Sequence, residues 1–203
     1  KEAHFLSYVC GLYTLYWLLN HVFEHIFIFI FIIFQADIRK ALVDIGTFII
    51  KLPVKNSYLT DNHVNDIVEA CITMADQRVG ALIVFERNTN LNDLIEREGQ
   101  KIDAEISRRL LMNIFYHGAH LNDGAVVISH GRIAAGGCIL PLAVAKGKNF
   151  GTRHRAALGI TQDSDAAVLV ISEERGEISL AHRGKLTILG DRAELEKVLH
   201  EIL

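Results

Sequence analysis

The sequence predicts an α/β (α+β mixed) domain, a central mixed β-sheet flanked by helices, preceded by an N-terminal membrane-anchor helix. Three observations predict it. Short apolar runs joined by Gly-containing turns fill the middle of the chain, helical periodicity flanks them, and a long apolar tract precedes both. With 203 residues, 50% of them hydrophobic, the chain is large enough for one medium domain with a sizeable core and an additional segment.

The additional segment is N-terminal. From Phe5 to Phe34 the only charged side chain is Glu24, and together with His21 and His25 it splits the tract into two pieces. The second piece, Ile26 to Phe34, runs into a segment carrying Arg39 and Lys40, positive charge of the kind found at a cytoplasmic membrane exit. A helical span needs about 20 apolar residues, and neither piece alone supplies them. The tract reads as the end of a membrane anchor, against a buried core helix or a mature end left by processing; a cleaved signal peptide fits poorly, because no Ala-x-Ala site follows the apolar run. Ile38, Ala41, Leu42, Ile45, Phe48 and Ile49 then have amphipathic spacing, the pattern of a helical stalk, and the stretch around Pro53 reads as a linker. The expected division is a partial transmembrane anchor over 1–36, a stalk and linker over 37–59, and a globular domain over 60–203.

Within that domain, Thr60 or Asp61 caps a helix whose core face is Val64, Ile67, Val68, Cys71, Ile72 and Ala75, and Gly80 ends it. Gly80 to Glu86 is an apolar run bounded by polar residues, a strand buried on both faces. Asp103 to Phe115 repeats a helical pattern through Ile106, Leu110, Leu111, Ile114 and Phe115. From Ala125 onward strands and tight turns alternate: two strands about His130-Gly131, then Asp165 to Ser172, Gly176 to Ala181 and Lys185 to Leu189, with Arg175-Gly176 and Arg183-Gly184 in the turns. Asp191 caps a last helix with Glu194 in capping-box position and Leu195, Val198, Leu199 and Ile202 on its buried face.

Composition excludes several classes. Three widely spaced cysteines in apolar surroundings form neither a disulfide framework nor a CxxC metal site. A formal net charge of -3 gives no bulk electrostatic reason for nucleic-acid binding. No histidine spacing matches HExxH, and neither GxxxxGK[ST] nor GxGxxG occurs.

Three short stretches carry reactive side chains. Asp123 precedes Gly124, Ala125 and a strand, which reads either as a plain Asp-Gly turn or as a carboxylate beside a backbone that a ligand can approach closely. Gly151, Thr152, Arg153, His154 and Arg155 place three cationic or potentially cationic side chains in a row, which repel one another unless an anion sits among them. They read either as a solvated surface loop or as a phosphate grip leading into the small residues of a packed helix start. Ser172, Glu173 and Glu174 end an apolar strand, and Glu173 is either part of a hairpin turn or a divalent-metal ligand.

These motifs, Asn122-Asp123-Gly124-Ala125, Gly151-Thr152-Arg153-His154-Arg155 and Ser172-Glu173-Glu174-Arg175-Gly176, occur in that order and resemble the diadenylate cyclase domain in its membrane-bound branch, from roughly Phe34 to Leu189. The resemblance implies that 60–203 is a catalytic domain which condenses two ATP into cyclic di-AMP with release of two pyrophosphates across a head-to-head homodimer. It implies Asp123, Arg153 and His154 as catalytic residues and Gly124, Ala125, Leu140, Thr152, Arg155 and Ser172 as substrate contacts. Asp123 and Glu173 would hold Mg²⁺ or Mn²⁺, or Co²⁺. It also implies a cell-membrane location with the catalytic domain cytoplasmic, a setting that leaves room for a regulatory membrane partner. Asn122 stands where many members have His, and Ile139 where an aromatic often stacks on adenine. The alternative is a non-catalytic nucleotide-binding sensor or interaction module on the same fold.

Overall fold

The computed structural model describes residues 13–35, 38, 59–143 and 151–202. The chain divides into two compact units, Lys1–Val54 and Lys55–Leu203.

In the first unit, α1 (Tyr13–Ile33) is a 21-residue helix. Trp17 stacks on His21 at 5.2 Å between ring centroids, His21 meets His25 edge-on at 5.1 Å, and His21 Nδ1 lies 3.7 Å from Glu24 Oε2. These polar groups sit in mid-helix, and among the described residues no helix is long and apolar enough to cross a membrane. Apart from Ile38 and Leu59, the stalk and linker expected over 37–59 lie outside the described residues.

The second unit begins with α2 (Asp61–Asp76). Thr60 is its N-cap: its hydroxyl accepts from His63 N, and His63 Nδ1 accepts from Thr60 N, so a capping box forms with His in the place usually taken by Glu. The following elements are β1 (Ala81–Phe85), α3 (Asn92–Glu98), β2 (Gln100–Glu105), α4 (Arg108–Ile114), β3 (Ala125–Ser129), β4 (Arg132–Cys138), α5 (Thr152–Asp163), β5 (Ala167–Ile171), β6 (Ile178–His182), β7 (Lys185–Leu189) and α6 (Arg192–Ile202). The seven strands form one sheet in the order β2-β4-β3-β1-β5-β6-β7. Only β1 and β3 pair in parallel; the other five ladders are antiparallel, which makes the sheet mixed as expected.

Side-chain alternation sorts the core into two layers. Ala81, Ile83 and Phe85 of β1 pack with Ile67 and Val68 of α2, Leu111 of α4 and Leu195 and Leu199 of α6. Leu82 and Val84 face the other way, toward Ile95 of α3 and Ala156, Ala157 and Ile160 of α5. A strand covered on both faces must be apolar throughout, and β1 and β5 are buried at every position. The turns at His130-Gly131 and Arg183-Gly184 have positive φ at both residues (49° and 74°; 50° and 69°), the conformation of type I′ hairpins.

Two expectations are corrected. Asp103–Phe115 is not one helix: its first three residues belong to β2, and α4 starts after Ser107, whose hydroxyl accepts from Leu110 N. β2 is an edge strand with a bulge at Asp103 (φ 52°), paired in register Gln100↔Gly136 and Glu105↔Arg132, so a distant partner overrides the local pattern. The capping box at α6 is shifted. Asp191 Oδ1 accepts from Glu194 N at 2.8 Å, but Glu194 Oε2 accepts from Gly190 N at 2.7 Å, one residue earlier than a standard box requires.

Candidate active site

The antiparallel pairing of β5 with β1, at Ala81↔Ile171, and of β3 with β4, at Ala125↔Cys138, brings the start of β1, the start of β3 and the ends of β4 and β5 to one edge of the sheet. The N-terminus of α5 lies over that edge. There a cavity of about 610 Å³ opens, walled by Asp123-Gly124, Ile139-Leu140, Gly151 to His154 and Ser172 to Arg175. All three stretches singled out in the sequence thus meet in one place.

The Asp123 wall is shaped by backbone contact. Gly124 has φ 147°, and a Cβ there would lie 2.5 Å from Gly137 C, so only glycine fits between β3 and the kinked end of β4. Asn122 commits its amide to the preceding turn, donating through Nδ2 to Tyr116 O at 3.2 Å, while its N–H donates to Ala119 O. The next residue, Asp123, is exposed at the cavity wall. Among the described residues no hydrogen bond or ion pair ties down its carboxylate, so it is available to a ligand.

The cationic stretch is not a loop ahead of a helix. Thr152, Arg153 and His154 are themselves the first turn of α5, with Gly151 as N-cap. Gly151 has no side chain with which to cap, and no acidic residue lies in that turn. The Arg153 guanidinium at the positive end of a helix dipole opposes the usual preference, an arrangement suited to a bound anion. Arg153 Nη1 donates to Glu173 Oε2 at 2.6 Å.

His154 is buried, with 6% exposure. Burial lowers its pKa below the usual 6.5; Arg175 acts in the same direction, and Glu177 and Glu174 oppose it. Ser172 is buried at the end of β5 and accepts from Arg175 N at 3.3 Å, while Gly176 N donates to its carbonyl at 2.8 Å. The Ser172–Gly176 stretch is therefore both the hairpin turn and a cavity wall.

Two residues expected as substrate contacts are not part of the cavity wall. Ala125 is fully buried in the layer under α3 and α5 and is not part of the cavity wall. Arg155, one residue past His154, donates from Nε to Ala143 O at 3.3 Å and so braces the segment that carries Leu140. Leu140 reaches the cavity from a largely buried position, and the neighbouring Ile139 is 64% exposed beside it. Sequence reasoning missed Arg175 on the wall, and from the 138–142 stretch it singled out Leu140 while Cys138 and Leu142 reach the wall too. A single Arg in a turn and a buried thiol give no local signal; burial lifts the Cys138 thiol to about 11.

For a divalent metal, no group of three His, Cys, Asp or Glu among the described residues forms a ready-made cage. Of the three carboxylates on the cavity wall, Asp123, Glu173 and Glu174, the resemblance implies two as metal ligands, Asp123 and Glu173. Oxygen donors in that number fit a hard cation such as Mg²⁺, which commonly takes one or two protein carboxylates and fills its shell with phosphate and water.

A cleft at a sheet edge with a helix N-terminus and basic side chains over it defines a nucleotide- or phosphate-binding α/β protein. Residues 68–186 match the model of the DAC family, described as DisA bacterial checkpoint controller nucleotide-binding. The chain is 38% identical over 201 residues to the cyclic di-AMP synthase CdaA of Bacillus subtilis, covering 97% of this chain and 72% of that protein. It is 39% identical over 198 residues to a diadenylate cyclase of Listeria monocytogenes, covering 96% and 72%. Among solved structures, a double-mutant DacA from Staphylococcus aureus aligns with a TM-score of 0.66 at 42% identity, over 68% of this chain and 93% of that one. A hypothetical membrane spanning protein from Bacillus cereus aligns with a TM-score of 0.61 at 34% identity, over 79% and 80%. The chain belongs to the DAC family.

Proposed function

We propose that the protein is a diadenylate cyclase that condenses two ATP into cyclic di-AMP and two pyrophosphates. The observation that carries the reading is the convergence of Asp123-Gly124, the first turn of α5 and Ser172-Glu173 on one cavity wall, in a chain whose relatives are diadenylate cyclases.

Each 3′-hydroxyl oxygen forms a bond to the α-phosphorus of the other ATP while the bond from that phosphorus to the β-phosphate bridging oxygen breaks. The Asp123 carboxylate accepts the hydroxyl proton, and pyrophosphate leaves. Two such transfers close the ring. One cavity holds one ATP, so the reaction needs a second copy facing the first in a head-to-head dimer, and most of the catalytic effect comes from positioning and charge neutralisation. Arg153, Thr152 and the first-turn N–H groups of α5 hold the triphosphate. His154, whose neutral form burial favours, offers a hydrogen bond that strengthens as negative charge develops. Ser172 adds a hydroxyl, and Leu140 with Ile139 borders the base. Mg²⁺ or Mn²⁺, or Co²⁺, held by Asp123 and Glu173 with the triphosphate, would neutralise phosphate charge and favour ionisation of the hydroxyl.

We further assign 1–36 to a partial membrane anchor, 37–59 to the stalk and linker and 60–203 to the catalytic domain on the cytoplasmic side. Support comes from the unbroken apolar run Ile26 to Phe34, with Ile28, Phe31, Ile32 and Ile33 each more than half exposed (57%, 61%, 59% and 73%), and from Arg39 and Lys40 after it. A regulatory partner at the membrane is consistent with that placement.

The test is turnover. Protein supplied with ATP and metal yields cyclic di-AMP, and at low concentration the rate rises as the square of enzyme concentration because two copies must meet. Asp123→Asn abolishes product while ATP binding survives. Absence of product with Mg²⁺, Mn²⁺ and Co²⁺ alike sinks the proposal.

A further inference from the structure

We infer that Gly80, which lies outside the cavity wall, is a positioning residue for the phosphate grip: the missing side chain at the start of β1 is the space in which the Arg153 guanidinium sits. A Cβ built on Gly80 would lie 2.4 Å from Arg153 Nη1, 2.7 Å from Arg153 Cζ and 2.8 Å from Glu173 Oε2. Real Cβ contacts essentially never fall below 3.0 Å. All three atoms belong to the two partners of the 2.6 Å ion pair at the cavity, so a methyl group here meets both ends of that pair.

The nature of the atoms met distinguishes this glycine from others near the site. A Cβ on Gly124 would run into Gly137 backbone, and one on Gly159 into Pro141 backbone; those glycines hold the chain itself in place. The three atoms nearest a Cβ on Gly80 are instead the far ends of two flexible side chains. Its φ is not in the left-handed region that glycine favours, so alanine is acceptable to the backbone. A methyl at this position leaves the fold intact and pushes the guanidinium off its mark. Arginine depends on a planar fork aimed at phosphate oxygens, so its binding is sensitive to such a displacement.

This inference rests on the assignment of Arg153 to the phosphates, and the two can fail separately. The probe is 3′-deoxy-ATP with Mg²⁺, which cannot react, titrated by calorimetry into the full chain, Gly80→Ala, Arg153→Ala and the double variant. Gly80→Ala is expected to raise Kd on the order of 10- to 100-fold with a melting midpoint near that of the unsubstituted chain. In the Arg153→Ala background the same substitution should cost far less, because the guanidinium it displaces is gone and Glu173 is free to turn aside. Unchanged affinity of Gly80→Ala, or an equal fold-loss in both backgrounds, overturns the inference. Undiminished binding by Arg153→Ala overturns the phosphate assignment instead. If Gly80→Ala folds poorly, the double variant should recover its melting midpoint, and failure to recover counts against the inference.

Discussion

Gly159→Ala tests whether the packing behind the cavity sets its function. Gly159 lies in the middle of α5 on the face turned to the 139–143 segment, and a Cβ there would sit 1.9 Å from Pro141 O, 2.7 Å from Pro141 C and 3.0 Å from Ala143 N. Bringing the closest of these to 3.0 Å requires a separation of about 1.1 Å (3.0 − 1.9) between helix and segment. The atoms met are backbone, so the segment moves as a unit and carries Ile139, Leu140 and Leu142 of the cavity with it. It is also tied to α5 by Ala143 N donating to Arg155 O at 3.0 Å. Removing a helix-interior glycine gains about 1 kcal/mol of helix propensity, and overpacking costs about 1–3 kcal/mol. The net loss is therefore about 0–2 kcal/mol, at most ~8 °C in melting midpoint for a domain of this size. A 1 Å misplacement of substrate-positioning groups costs on the order of 100-fold in rate. The assay pairs a thermal melt followed by circular dichroism with steady-state formation of cyclic di-AMP. Activity within about threefold of the unsubstituted chain would refute the reasoning, since it would mean that the segment's position does not govern the site.

Two further predictions concern stability. Asp165 accepts from Thr89 N at 2.9 Å, Asn88 N at 3.2 Å and Asn88 Nδ2 at 2.9 Å, holding the loop after β1. Burial raises its pKa, but those hydrogen bonds outweigh it and leave the carboxyl below the usual 3.8. Its contribution is thus present above pH 3.8 and lost as pH falls through the folded-state value. Asp165→Ala should cost about 1.5–3 kcal/mol at neutral pH and show a shallower loss of stability in acid, both read from denaturant melts. His154 has the opposite chemistry but the same direction with pH: the fold favours its neutral form, so stability is full above 6.5 and declines as pH falls through 6.5 toward the lower folded value, where the loss levels off. His182 is shifted the same way. A His154→Gln chain should therefore show a smaller, not absent, fall in melting midpoint over that window, and an identical slope would contradict the burial argument.

Much of the fold was legible because its signals are local. Turn pairs such as His130-Gly131 favour the positive φ they adopt, Thr60 and Asp191 cap the helices that follow them, and β1 and β5 are apolar at every position because both faces are covered. The three motif stretches were also legible, since their residue types carry chemistry wherever they stand.

What the chain alone left open was decided by partners distant in sequence. Polar Gln100–Glu105 is a strand because β4 offers it an open edge, and no periodicity in six residues with exposed alternate positions announces that. Residues 123, 153 and 173 share one cavity only because the sheet order brings their elements together. Gly80 looked like a helix stop; the helix ends at Asp76, and the glycine's role comes from an arginine that the fold delivers to it. Backbone preference and side-chain chemistry are properties of a residue and its neighbours, so the sequence determined them. Close approach is a property of two surfaces, and only packing could set it.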